Sequence, residues 1–193
     1  LVTFSLGTDT AGSGRIPAGL NELIGLKPTF GRLSCKGVVP ACRSLDCVSI
    51  FTKSPEDASA VFEVAAQADE GDAYSRDVVQ SNWFPPNEFT FGVPQADQLQ
   101  FFGDTGAEAL FAEAVSKLES IGGTKVVIDF SAFLEAALLL YEGPWVSERF
   151  AAIEDFITDQ PEALHPVTRK IISGGGLPRA VDGFRAQYRL KEL

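Results

Sequence analysis

Apolar positions fall into short extended runs in the first half of the chain and into helical faces in the second. Residues 1–6 read as a strand ending at Gly7, followed by a run of small and polar residues from Gly7 to Arg15. Pro17 suits the first position of a short helix through Leu23, because the N–H it lacks is not needed there. Residues 27–45 show no sustained period and are dotted with Gly and Pro, which predicts loop. The run Cys47–Thr52 reads as a buried strand. Ser54-Pro55-Glu56-Asp57 is a helix start with a hydroxyl cap, a proline in the first turn and acids that suit the dipole. Val61, Phe62, Val64, Ala65 and Ala68 then form an apolar face. Residues 69–88 are polar and contain proline, which predicts a surface connection. Phe89–Val93 reads as a strand ending at Pro94.

Asp104 or Thr105 caps the clearest helix, in which Leu110, Phe111, Ala114, Val115, Leu118 and Ile121 recur at helical spacing before Gly122-Gly123 ends it. Lys125–Phe130 is a strand, so 89–130 form a strand–helix–strand unit, and such units imply parallel pairing. Helices follow over 131–141, 144–158, 165–173 and 179–193. Breaks fall at Gly143-Pro144, at Pro161 and at Gly174-Gly175-Gly176. The class is α/β: a mixed open sheet flanked by helices, with a helical C-terminal half. No internal repeat or low-complexity tract interrupts it.

Composition narrows the function. The 193 residues carry 16 Lys and Arg against 26 Asp and Glu, a formal net charge of −10, with 45% hydrophobic residues. Wholesale disorder is excluded. So is a phosphate-backbone partner, which needs clustered cations, and no nucleic-acid role is expected. No stretch reaches the roughly 20 apolar residues of a membrane span, and the first residues lack the basic start of a signal peptide. The expected setting is cytoplasmic, without a membrane partner. There is no methionine and the chain opens on Leu1, which predicts part of a longer translation product. Cys35, Cys42 and Cys47 are odd in number and off zinc spacing, far from the single His165, so buried free thiols are expected and no metal site.

The Gly7–Arg15 run is the candidate for chemistry. A Gly- and Ser-rich strand-to-helix turn can cradle a phosphate on backbone N–H groups. It can also hold a nucleophilic serine beside N–H groups aimed at a developing oxyanion. A plain structural turn uses the same residues. The Gly-Lys-Ser/Thr ending of a phosphate loop is absent, and Gly12-Ser13-Gly14 lacks the spacing of the Gly-x-Ser-x-Gly elbow.

Gly7-Thr8-Asp9-Thr10-Ala11-Gly12-Ser13-Gly14-Arg15-Ile16-Pro17, with Gly25-Leu26-Lys27-Pro28-Thr29 after it, resembles the C-terminal half of the amidase signature. The resemblance implies that all of residues 1–193 belong to one partial domain of the amidase signature fold. It implies Ser13 as acylating nucleophile, with the N–H groups of Thr10, Ala11, Gly12 and Ser13 as oxyanion hole. The family activates its nucleophile with a second serine on a cis peptide bond and a lysine, both upstream of this turn. The chain is therefore expected to be inactive alone, since a serine hydroxyl is a weak nucleophile without a base. Lys27 belongs to a block that is structural in the family.

Two further segments, Gly37 to Phe51 and Leu140-Tyr141-Glu142-Gly143-Pro144-Trp145-Val146-Ser147-Glu148-Arg149, resemble allophanate hydrolases within that family. This implies that Tyr141 and Arg149 grip the carboxylate of allophanate, and that the terminal amide is hydrolysed with release of ammonia in urea degradation. A guanidinium suits a planar carboxylate through charge-assisted, bidentate hydrogen bonds. The alternative for Arg149 is a helix-surface pair with Glu142 or Glu148, and for Tyr141 a place in the core. No cofactor is implied. A functional link to a biotin-dependent urea carboxylase is, and a homodimer is admitted. Asp9 is expected to hold the turn through its backbone or Arg15, Asp46 and Arg43 to form a structural pair, and His165 to cap a helix. Rival readings are an amidase acting on another small amide and a non-catalytic truncated piece.

Overall fold

The computed structural model describes residues 2–77 and 87–193. Most of the expected surface connection, 78–86, lies outside them. The contacts divide the chain into two units. One holds Leu1–Val79 with Gly143–Gly183, and the other Gln80–Glu142 with Phe184–Leu193.

In the first unit, β1 (Ser5–Thr8), β2 (Ile24–Leu26) and β3 (Val48–Thr52) form an antiparallel sheet with β3 in the middle. Gly7 lies opposite Ser49, and Ile50 is flanked by Leu6 and Leu26. Ile50, Ser49 and Thr52 are buried, as a central strand requires. Between β1 and β2, α1 (Arg15–Leu20) begins two residues before the expected Pro17 start and stops short of Leu23. Pro17 is then the third helical residue, still among the first four whose N–H has no partner within the helix. The helix stops where Asn21 leaves helical geometry and Glu22 takes a positive φ of 55°. The strand β2 falls between the expected helix and loop, and its reason is tertiary: Gly25 pairs with Phe51.

Ser54 caps α2 (Pro55–Ala65) by accepting from the Asp57 N–H at 3.1 Å, as its sequence demands. The same unit contains α5 (Trp145–Asp159) and α6 (Pro166–Ser173). His165 does cap α6, its Nδ1 accepting from Val167 N at 3.3 Å. Cys42 and Cys47 are buried thiols, and Cys35 is half-buried; all three are unbridged.

The second unit contains the expected strand–helix–strand. Strands β4 (Phe89–Pro94) and β5 (Gly123–Ile128) pair in parallel, from Phe89 opposite Gly123 to Pro94 opposite Ile128, joined through α3 (Thr105–Ser120). Asp104 caps α3, accepting from Ala107 N at 2.9 Å. The unit also holds α4 (Ser131–Glu142) and the C-terminal part of α7 (Ala180–Glu192), where Arg189 grips Glu135 bidentately at 2.5 and 2.7 Å.

Burial of Ile50 at 0% exposure in the central strand makes it the test of the first unit's core. Ile50→Ala removes three carbons between two neighbouring strands and is expected to cost about 2–5 kcal/mol. Urea unfolding followed by fluorescence should show a lower midpoint with an unchanged slope.

Candidate active site

The turn after β1 is built around one buried carboxylate. Asp9 N donates to Cys47 O at 2.7 Å, continuing the sheet by one residue. Its side chain, 0% exposed, accepts from Gly12 N at 2.6 Å, Arg15 N at 2.9 Å and Arg15 Nε at 2.9 Å. Asp9 thus performs at long range the capping that no side chain next to α1 performs, which explains why the helix starts at Arg15. Burial pushes the Asp9 carboxyl upward, but the bonds from Arg15 and Gly12 more than reverse this and hold it well below the usual carboxylate range. Arg15 is raised in turn by its bond to Asp9. Lys27 Nζ lies 3.6 Å from Asp9 Oδ1 and donates to Thr10 O at 3.1 Å. The expected bracing role of Asp9 and the structural place of Lys27 are both visible here.

Two glycines make the turn possible. Gly12 has φ +131°, a conformation that L side chains rarely adopt. At Gly14 a Cβ would drive into the Ser49 side chain and sit 3.0 Å from Asp9 Cβ, so the backbone approaches the sheet as closely as it does only without a side chain. Both are buried, whereas Ser13 between them is exposed. The N–H of Gly12, expected among the oxyanion donors, points at Asp9. Among the described residues nothing accepts from the N–H of Thr10, Ala11 or Ser13.

A second buried carboxylate lies on the other side of Thr10. Asp46, 3% exposed, accepts from Thr10 Oγ1 at 2.6 Å, Ala41 N at 2.9 Å and Cys42 N at 3.0 Å. This replaces the expected pairing of Asp46 with Arg43. A polar contact 36 residues away in sequence leaves no local signal, which is why sequence reasoning missed it.

Arg149 stands in the first turns of α5, which is fastened to the same 41–46 turn. Glu148 accepts from Ser44 N at 2.6 Å and Ser44 Oγ at 2.7 Å, and the Cys42 thiol donates to Trp145 O at 3.7 Å. Glu148 is therefore engaged by Ser44. The Cys42 thiol is pushed up by burial, partly offset by a hydrogen bond from Arg149. The first unit thus carries Thr10, Ala11, Gly12, Ser13 and Arg149. Tyr141 lies near the C-terminal end of α4 in the second unit, 61% exposed, not in a core. Among the described residues no cluster of His, Cys, Asp and Glu could hold a metal ion.

Comparison with known proteins gives the same frame. The Amidase family model matches residues 1–183. A urea amidolyase of Saccharomyces cerevisiae is 46% identical over 98% of this chain, which covers 10% of that protein. A glutamyl-tRNA(Gln) amidotransferase of Myxococcus xanthus is 38% identical over 63% of the chain, covering 26% of its own matched polypeptide. Among solved structures, the allophanate hydrolase of Kluyveromyces lactis superposes with a TM-score of 0.91 at 45% identity, over 99% of this chain and 32% of that one. The chain spans about a tenth of the length of the urea amidolyases it matches.

The depressed Asp9 carboxyl has a pH signature. Its folded value lies below the unfolded value of about 4, so its contribution is complete above that value and is lost as pH falls through it. Asp9→Asn should lower Tm by a constant amount above about pH 5, and the gap to the unsubstituted protein should close below about pH 4. Thermal melts from about pH 2.5 to 7 check this; a gap that widens with acid would contradict the assignment.

Proposed function

The chain belongs to the amidase family, and from that premise we propose that it supplies the acylating serine, the oxyanion donors and the carboxylate-binding cation of an allophanate hydrolase. The observation that carries the proposal is an exposed Ser13, held between two buried glycines, beside backbone N–H groups on which no described residue draws. Both units would form parts of one amidase domain, since the family match runs through both.

In this reading Ser13 Oγ attacks the terminal carbamoyl carbonyl of allophanate. The N–H groups of Thr10, Ala11 and Ser13 receive the charge that develops on oxygen, as preorganised donors do in water-poor sites. Gly12 contributes through its backbone geometry, with its own N–H committed to Asp9. Collapse of the tetrahedral species transfers a proton to the leaving nitrogen and releases ammonia. Water then attacks the acyl-enzyme and frees the carboxylated carbamate, which decomposes spontaneously.

The Ser13 proton requires a base. Lys27 faces the Thr10 carbonyl and Asp9, so we assign the base to the lysine and cis-peptide serine that the family provides, in other parts of the intact protein. Arg149, with Tyr141, would bind the substrate carboxylate. The names of the urea amidolyase relatives support urea degradation. We place the enzyme after a biotin-dependent urea carboxylase, because allophanate is urea carboxylated on nitrogen. Among the described residues no helix is long and apolar enough to cross a membrane, in keeping with the cytoplasmic setting proposed here.

In the intact enzyme, Ser13→Ala is expected to lower ammonia release from allophanate by at least about a thousandfold. Arg149→Ala should raise KM for allophanate about tenfold or more, with a smaller effect on kcat. Retained turnover in Ser13→Ala would overturn the nucleophile. Equal turnover of an uncharged amide of the same size would move the enzyme to the amidases of other small amides.

A further inference from the structure

The turn that carries Ser13 and the helix that carries Arg149 share a neighbour. Residues 41–46 form a tight turn closed by Asp46, whose Oδ2 accepts from Ala41 N and whose Oδ1 accepts from Cys42 N. Backbone bonds from Leu45 N and Asp46 N to Cys42 O, both 2.8 Å, close the same turn. One face of this turn holds α5 through Ser44 and Glu148 and through Cys42 and Trp145. Its other attachment is the 2.6 Å bond from Thr10 Oγ1 to Asp46 Oδ1. Such a short bond to a carboxylate is of the strong, charge-assisted kind. Thr10 would otherwise be held in the turn by its backbone and by the Lys27 bond to its carbonyl.

We propose that Asp46 is a positioning residue for catalysis: through the Thr10 hydroxyl it sets where the Thr10 and Ala11 N–H groups point. Through the turn it closes, it keeps that oxyanion segment in register with the first turn of α5. This rests on the allophanate hydrolase reading above and extends it to a residue that touches no substrate. A carboxylate is required because one oxygen must accept from a hydroxyl and a backbone N–H together while the other accepts a third donor. An amide in its place keeps the first oxygen but turns an NH2 group toward the Ala41 N–H. Small displacements of an oxyanion donor are costly: a misplacement of about 1 Å can lower rates about a hundredfold.

The test uses the intact enzyme, with steady-state kinetics on allophanate and a fluorophosphonate probe that counts reactive serines. Thr10→Val removes the hydroxyl at nearly constant volume, and Asp46→Asn keeps the turn's shape with one donor mismatched. Each should lower kcat per titrated site about tenfold or more while KM moves less than about twofold. The double variant should be no worse than the poorer single, because both cut one link. Arg149→Ala gives the contrasting pattern, a raised KM.

A purely structural Asp46 would reduce the titrated fraction and Tm and leave kcat per site unchanged, and that result would overturn the proposal. So would multiplicative losses in the double variant. Failure of the functional reading is distinguishable: the unsubstituted enzyme would then label with the probe yet release no ammonia from allophanate, and the proposal would fall with it.

Discussion

The Asp9 carboxylate is the constraint on which the serine turn depends. A carboxylate removed from water needs compensating donors, and the cost of leaving it unpaired far exceeds the gain from any single hydrogen bond. Asp9 finds those donors at Gly12 N, Arg15 N and the Arg15 guanidinium. Meeting them forces the chain to fold back within six residues, and that reversal places Ser13 outward and Gly12 and Gly14 inward. The left-handed Gly12 and the side-chain-free approach of Gly14 to Ser49 follow from the same reversal. The exposed hydroxyl is therefore a by-product of satisfying a buried charge. Such an arrangement is stiff, which an oxyanion site needs.

What was legible in the sequence was local. Ser54, Asp104 and His165 announced their helices because a cap acts on N–H groups two or three residues away. The parallel pairing of β4 and β5 followed from a strand–helix–strand pattern whose handed crossover leaves few alternatives. Bracing of the turn by Asp9 and Arg15 was also visible, over a separation of six residues. The start of α1 was not, because its cap comes from Asp9 rather than from an adjacent residue. Nor was β2, three residues whose strand character exists only against β3. Asp46 shows the limit most clearly: its pairing with nearby Arg43 was the reasonable local expectation, and its actual partner Thr10 is 36 residues away.

The site's side chains divided similarly. Ser13 and its neighbours form one contiguous motif, so their roles could be assigned together by resemblance. Arg149 depends on two separate segments, residues 41–46 and the start of α5, meeting in the fold. Periodicity places Arg149 on a helix but says nothing about Cys42 or Ser44 opposite that helix. That the two segments flank each other is a tertiary fact, and only the structure supplies it.

Charge around the turn explains why a dedicated arginine is needed. Two cations, Arg15 and Lys27, and two carboxylates, Asp9 and Asp46, lie within one or two side chains of Thr10. They cancel, so the turn has no surplus positive charge to attract an anion, and the chain as a whole carries −10. Charge developing on a reacting oxygen must then be met by N–H dipoles at short range, which act over a few ångströms and do not depend on net charge. A substrate carboxylate some distance from the reacting carbonyl lies beyond that range. It has to be met by its own full charge, placed where the carboxylates of the turn do not offset it. A guanidinium on a neighbouring helix meets that requirement, and the 41–46 turn supplies the mechanical link that keeps it at a fixed distance from the serine.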